Sequence, residues 1–215
     1  MKNRKSFLTL GALCLAAFIL WTALVLVIDV RPIGPEGSQV GFAALNGFVH
    51  ELTGVNWTLY TITDWLGLVP FAIVGCFGLL GLWQLIRRKK LWQVDRDILV
   101  LGIFYVVVLA VYALFEVVPI NYRPVLVEGI LEVSYPSSTT MLSLCVIPTT
   151  MLQVAWRFKT SWLRYGGLGI LGVFGAFMVV GRLISGVHWF SDIFGGALLS
   201  AGLVLLYYAF AKKEA

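Results

Sequence analysis

Six apolar runs, each long enough to cross a lipid bilayer, alternate with short polar segments along this 215-residue chain. That alternation constrains the fold more than any other feature. The bilayer core offers no water to backbone N–H and C=O groups, so a spanning segment satisfies them internally, as a helix. About 20 apolar residues suffice for one crossing. The runs cover about residues 7–28, 58–86, 98–118, 139–156, 166–182 and 189–210. They predict an all-α, polytopic membrane protein: a six-transmembrane-helix bundle forming one membrane domain over residues 1–215. Composition agrees. Hydrophobic residues make up 60% of the chain and charged ones 13%, with a mean hydropathy of +0.90. Soluble domains carry roughly 25% charged residues.

The remaining charges write a topology. Lysine and arginine gather at Met1–Lys5, at residues 87–96, at 157–164 and at Lys212-Lys213, while the three alternate loops are poor in them. Basic connections stay on the cytoplasmic side. Both termini are therefore expected in the cytoplasm and the three poor loops outside. The first run is read as a retained helix. A signal peptide's apolar region spans about 7–15 residues and ends in small residues, whereas this run is longer and ends in Val-Ile-Asp-Val-Arg-Pro. The net charge of +5 lies in short clusters, with no basic stripe and interleaved aromatics, so no nucleic-acid partner is expected. Cys14, Cys76 and Cys145 all fall in apolar runs. Their odd number and spacing suit neither a disulfide nor a metal framework, and buried structural thiols are expected.

Polar chemistry concentrates in one stretch, Arg182-Leu-Ile-Ser-Gly-Val-His188-Trp-Phe-Ser-Asp192, which holds one of the two histidines. In a helix starting near Trp189, His188 and Asp192 are i and i+4 and share a face. A carboxylate so placed holds one imidazole nitrogen as N–H and leaves the other free to attack. The plainer alternative is a histidine and an ion pair at a membrane surface. The topology brings two further clusters to the same outer face: Arg123-Pro124 in the second outer loop, and Pro136-Ser137-Ser138-Thr139 opening the fourth span. Pro136 suits a first helical turn, whose free N–H groups make an anion site. Arg123 and Arg182 supply forked donors suited to phosphate. His50, in a predicted amphipathic helix over 42–52, has no constellation around it and reads as an interfacial residue. Asp64 and Glu116 lie within spans but form no evident relay. Charges clustered at one face argue against a channel.

At these residues the chain resembles the type 2 phosphatidic acid phosphatases, the membrane branch of a superfamily shared with vanadium haloperoxidases. That family carries three motifs: lysine, six residues, Arg-Pro; Pro-Ser-Gly-His; and Ser-Arg, five residues, His, three residues, Asp. Arg182, His188 and Asp192 match the third, Arg123-Pro124 part of the first, and Pro136-Ser137 part of the second. The resemblance implies a phosphohistidine formed on His188 and oriented by Asp192. Arg123, Arg182, Ser137 and the first-turn residues Ser138 and Thr139 would hold phosphate oxygens. It also implies lipid phosphates or diphosphates as substrates, no metal and no cofactor, and a site at the outer membrane surface.

Three positions depart from the pattern. Glu116 stands at the first motif's lysine, Gly181 at the third motif's serine, and Thr139 at the second motif's histidine. In the family that histidine protonates the leaving group, and threonine cannot act as an acid near neutral pH. Three outcomes follow from that substitution. The chain hydrolyses lipid monophosphates with another proton source, Tyr122, Tyr135, Glu128, Glu132 or water. Or it prefers diphosphates, whose leaving phosphate needs little protonation. Or it is a catalytically impaired member that binds or transports lipid phosphates. Undecaprenyl diphosphate, phosphatidic acid and phosphatidylglycerol phosphate all remain compatible, and the sequence does not set the oligomeric state.

Overall fold

The computed structural model describes residues 2–211, so Lys212-Lys213 lies outside the described residues. Eight α-helices are described: α1 (Lys2–Val27), α2 (Ala43–Thr53), α3 (Trp57–Leu66), α4 (Leu68–Arg88), α5 (Arg96–Val117), α6 (Ser138–Arg157), α7 (Ser161–Ile184) and α8 (Phe190–Ala211). Six segments are long and apolar enough to cross a membrane, and α3 and α4 together form one of them, Trp57–Arg88. The protein is thus an all-α, multi-pass membrane protein. Side chains such as Ile19, Leu79, Ile103 and Ile170 lie exposed on the outside of the bundle, where acyl chains replace water as solvent.

Two local features depart from the expected spans. The second run is not one helix: it breaks at Gly67, between α3 and α4. Pro70 has no N–H to give the Leu66 carbonyl and its ring would crowd that carbonyl. The chain therefore restarts as a new helix. Likewise α6 begins at Ser138, two residues beyond Pro136, so that proline precedes the first turn instead of occupying it. The thiols also differ from expectation. Cys145 is buried and Cys14 half-buried, but Cys76 is exposed on α4. On a lipid-facing surface a thiol meets no water, so it behaves there as a small apolar group.

α6 is the most enclosed of the six spans. It packs against α7 and α8, while α1 lies along α8. Several of its core-facing polar groups are paired within the bundle, although the buried Ser143 hydroxyl has no partner. Thr149 bonds the Tyr105 hydroxyl at 3.1 Å, and Gln153 Nε2 donates to Tyr207 Oη at 2.7 Å. Such pairing is what a bundle interior without water requires.

The two ends of the bundle differ. At one end Arg88 pairs with Asp95 at 2.8 Å, and Arg157 reaches Asp95 and Asp97 at 3.3 and 2.6 Å. The Arg88 hydrogen bond, aided by those from Gln84 and Arg157, holds the Asp95 carboxyl below its ordinary value against its partial burial. These contacts bring two basic connections to the same end, as the charge alternation required. At the other end three non-basic loops interlock. Asn46 Nδ2 donates to Ser191 Oγ at 2.9 Å, the Asn56 N–H donates to the Ser185 carbonyl at 3.0 Å, and Trp189 Nε1 donates to the Tyr122 carbonyl at 2.7 Å. Gly186 permits part of this close fit. Its φ is +67°, and a Cβ there would fall 1.7 Å from the Gly54 carbonyl oxygen.

Candidate active site

Asp192 is placed by the start of α8. Its Oδ2 accepts the Trp189 backbone N–H at 3.0 Å, the reach-back of an acidic N3 residue to the helix N-cap. Oδ1 accepts from Asn121 Nδ2 at 3.1 Å and from Ser191 Oγ at 3.3 Å. The carboxylate is wholly buried, and these bonds fix its orientation. One turn back, His188 Nδ1 stands 3.9 Å from Asp192 Oδ2. That is ion-pair range but too long for a hydrogen bond.

The opposite ring nitrogen faces two guanidinia. Arg123 Nη1 lies 3.3 Å from His188 Nε2 and Arg182 Nη2 lies 3.4 Å from it. Arginine is a donor only, so Nε2 carries the lone pair and the proton sits on Nδ1, facing Asp192. Burial, then the Arg123 and Arg182 charges, hold His188 well below the usual 6.5, with the backbone of Ser134 acting the other way. The imidazole is therefore neutral at neutral pH. A neutral imidazole with its lone pair turned to two cations is arranged to attack an electrophile bound as an anion between them.

Each arginine has its own carboxylate. Arg123 Nε lies 2.9 Å from Glu132 Oε2, and Arg182 Nη1 lies 3.5 Å from Asp64 Oδ1. The Tyr60 ring lies against both, 5.0 Å from the Arg182 guanidinium carbon and 5.9 Å from that of Arg123, within cation–π range. Arg182 can reach α3 because Gly181 lets α7 approach it. A Cβ at Gly181 would fall 2.8 Å from Thr63 Cγ2. A serine at this position would collide with α3.

A cavity of about 550 Å³ opens in front of this cluster. Arg123 and Arg182 form its cationic wall, and Ser138 and Thr139 present the first turn of α6 to it. Asp64, Glu116 and Glu132 supply carboxylates, and Tyr60, Phe71 and Tyr112 supply rings. Asp64 and Glu116, which the sequence did not connect, therefore share one space.

Of the predicted site residues, the structure brings together His188, Asp192, Arg123 and Arg182 around the imidazole, with Ser138 and Thr139 on the cavity wall. Ser137 is not on that wall. Its hydroxyl donates to Thr140 Oγ1 at 3.0 Å, and its backbone N–H donates to the Asp192 carbonyl at 3.1 Å. It ties the α6 start to α8, so its hydroxyl is directed into the protein and away from the cavity. Tyr135 is also turned away, its hydroxyl bonded to Thr22 Oγ1 at 2.7 Å. Among the proton sources weighed from sequence, only Glu132 lines the cavity. His50 does have a neighbour: its ring lies 5.5 Å from that of Trp189, and burial lowers its pKa against the opposing Glu51 charge.

Sequence reasoning missed Tyr60, Asn121, and the pairing roles of Asp64 and Glu132. A signal existed for α3, since Tyr60, Thr63, Asp64 and Gly67 recur at helical spacing on one face. None existed for Asn121, whose role depends on a loop crossing to α8.

An all-α membrane bundle with a buried imidazole, its carboxylate and two guanidinia at one end defines a class of integral-membrane phosphate-handling proteins. Residues 117–215, which carry all four of these groups, match the family model of the PAP2 superfamily. No curated protein matches the sequence. Its fold is similar to that of a transmembrane PAP2 type phosphatidylglycerolphosphate phosphatase from Bacillus subtilis, at a TM-score of 0.53 and 19% identity over 93% of each chain.

Proposed function

We propose that the protein is a membrane lipid phosphate or diphosphate hydrolase working through a phosphohistidine at the outer membrane face. The observation that carries this reading is the approach of Arg123 and Arg182 to the lone-pair nitrogen of one buried imidazole, at 3.3 and 3.4 Å. A phosphoryl group seated between the guanidinia presents its phosphorus to Nε2. Nε2 forms the P–N bond as the bond to the lipid oxygen breaks. Developing charge on the equatorial oxygens is met by the two arginines and by the free N–H groups of the α6 first turn. Asp192 stabilises the charge that appears on the imidazole. Water then cleaves the P–N bond and releases phosphate. The cavity wall carries Arg123, Arg182, Ser138 and Thr139, His188 adjoins it through the two guanidinia, and none of these steps calls on a metal or cofactor.

Orientation is part of the proposal. The basic end of the bundle faces the cytoplasm and the His188 end faces outside, which accounts for the charge alternation. A lipid substrate enters with its headgroup at that end and its chains among the membrane lipids.

A second reading rests on Thr139. With no acid at that position, the chain would bind or transport lipid phosphates without hydrolysing them. Release of phosphate from a panel of lipid phosphates and diphosphates, including phosphatidylglycerol phosphate, separates the two. Release by the parent that disappears in His188→Ala supports the hydrolase. Saturable binding by both proteins without release supports the binder.

A further inference from the structure

Ser191, the residue before Asp192, is held at each of its polar atoms by distant parts of the chain. Its backbone N–H donates to Asn46 Oδ1 at 3.0 Å, and its carbonyl accepts from Trp21 Nε1 at 3.1 Å. Its hydroxyl oxygen lies 2.9 Å from Asn46 Nδ2, 3.2 Å from Asn121 Nδ2 and 3.3 Å from Asp192 Oδ1. Asn46, Asn121, Ser191 and Asp192 are all buried.

The orientation of the Asn46 amide follows from its neighbours. A backbone N–H only donates and a carbonyl only accepts. The atom facing the Ser191 N–H is therefore Oδ1, and the atom facing the Gly41 carbonyl at 2.7 Å is Nδ2. Gly41 is wedged against α1, since a Cβ there would fall 1.7 Å from the Val25 carbonyl oxygen. Phe42 stacks on Trp21 of α1, with ring centroids 4.7 Å apart. The start of α2, which carries Asn46, is thus pinned to α1. One Nδ2 proton goes to Gly41 and the other meets Ser191 Oγ. The Asn121 amide supplies a second donor to that oxygen. A hydroxyl has two lone pairs and one proton. The two amides fill the lone pairs, so the proton is left for Asp192 Oδ1.

We propose that Asn46 is a positioning residue for phosphoryl transfer, acting on Asp192 through the Ser191 hydroxyl. This rests on the reading of His188 as nucleophile. By filling one lone pair of Ser191, Asn46 directs the hydroxyl proton to Asp192 Oδ1. Without it a lone pair is free to face the carboxylate, and the two repel. With Oδ1 held, Oδ2 stays turned to the imidazole, which becomes cationic as the P–N bond forms. Asn46 lies outside residues 117–215, the part that matches the family model, and it is not on the cavity wall. It therefore tunes the reacting pair without touching substrate.

The test measures kcat and KM on the purified full chain, with whichever of phosphatidic acid, phosphatidylglycerol phosphate and undecaprenyl diphosphate the parent turns over fastest. Asn46→Ala, Ser191→Ala and the double variant are compared, each with its unfolding midpoint. Each single change is expected to lower kcat about 10- to 100-fold, as for one lost hydrogen bond to a charged group, with KM little changed. The double variant is expected to be no slower than the slower single one, because both act through one proton. Ser191→Ala is the gentler change, since Asn46 Nδ2 keeps the Gly41 carbonyl and Asn121 Nδ2 keeps Asp192 Oδ1. It decides the matter alone if Asn46→Ala does not fold. An unchanged kcat in Ser191→Ala, or losses that multiply in the double variant, overturns the inference and leaves Asn46 as a tie between α2 and α8. Release from none of the three lipids by the folded parent overturns the hydrolase reading, and this inference with it.

Discussion

His188 Nδ1 stands 3.9 Å from Asp192 Oδ2, the same oxygen that accepts the Trp189 backbone N–H at 3.0 Å. One carboxylate oxygen thus caps a helix and steers an imidazole. Asp192→Asn keeps an oxygen for the cap and removes the charge that supports the imidazole as it becomes cationic. The expected result is a fall in kcat of about 100- to 10,000-fold with little change in thermal unfolding. Phosphate-release kinetics alongside a melting curve check it. Equal loss of stability and activity would mean that Asp192 serves only the helix.

Protonation follows from the same geometry. The folded His188 titrates below the usual 6.5, chiefly through burial. As pH falls through about 6.5, the unfolded chain takes up a proton that the native site refuses, so stability drops on the acid side. Neutral imidazole, the form that attacks, persists below that pH. Nitrogen-15 spectra of histidine-labelled protein should show His188 uncharged at pH 6, with His50→Gln assigning the two signals. Arg123→Ala should move the titration upward, because it removes a cation from beside the ring. A His188 that charges at 6.5 or above contradicts this account.

The two substitutions on the cavity wall predict a gain of function. Thr139 Cγ2 lies 3.4 Å from where a Gly67 Cβ would be, so position 139 sits at the break between α3 and α4. The double variant Thr139→His, Glu116→Lys restores a proton donor and a phosphate-binding cation. Turnover of simple lipid monophosphates is expected to rise about 10- to 100-fold, as a positioned acid provides. Unchanged turnover in a folded double variant would show that the missing acid does not limit the parent.

Gly181 is expected to be intolerant of any side chain. Gly181→Ala places a methyl 2.8 Å from Thr63 Cγ2 and forces α7 from α3. A loss of about 1–3 kcal/mol is expected from such overpacking, read as a lowered midpoint of unfolding in detergent. Thr63→Ser, which removes the opposing methyl, should recover part of it.

Orientation is testable by labelling. In a background without the native cysteines, Ile130→Cys at the His188 end should react with an impermeant thiol reagent on intact cells. Trp92→Cys at the basic end should react only after lysis. Both side chains are exposed, 62% and 80%. The reverse pattern would place the site inside.

Much of this protein was written locally in the chain. Run length gave the number of crossings, because a bilayer has a fixed thickness. Basic clusters marked alternate ends, and the Arg88–Asp95–Arg157 contacts agree with that grouping. Arg182, His188 and Asp192 were legible together because they lie within eleven residues, where helical spacing dictates what meets what.

What the chain could not announce was the rotation of each helix about its axis. In a soluble bundle an apolar stripe points to the core, but lipid is as apolar as the core, so α1, α5 and α8 carry no such stripe. Only the packed structure decided that α3 turns Asp64 and Tyr60 toward Arg182, that Glu132 folds back on Arg123, and that Glu116 and Thr139 share a cavity. It also turned Ser137 inward, because its hydroxyl found Thr140 and its N–H found the Asp192 carbonyl. Local spacing sets which groups can act as a unit; the neighbours chosen in packing set which charges face them.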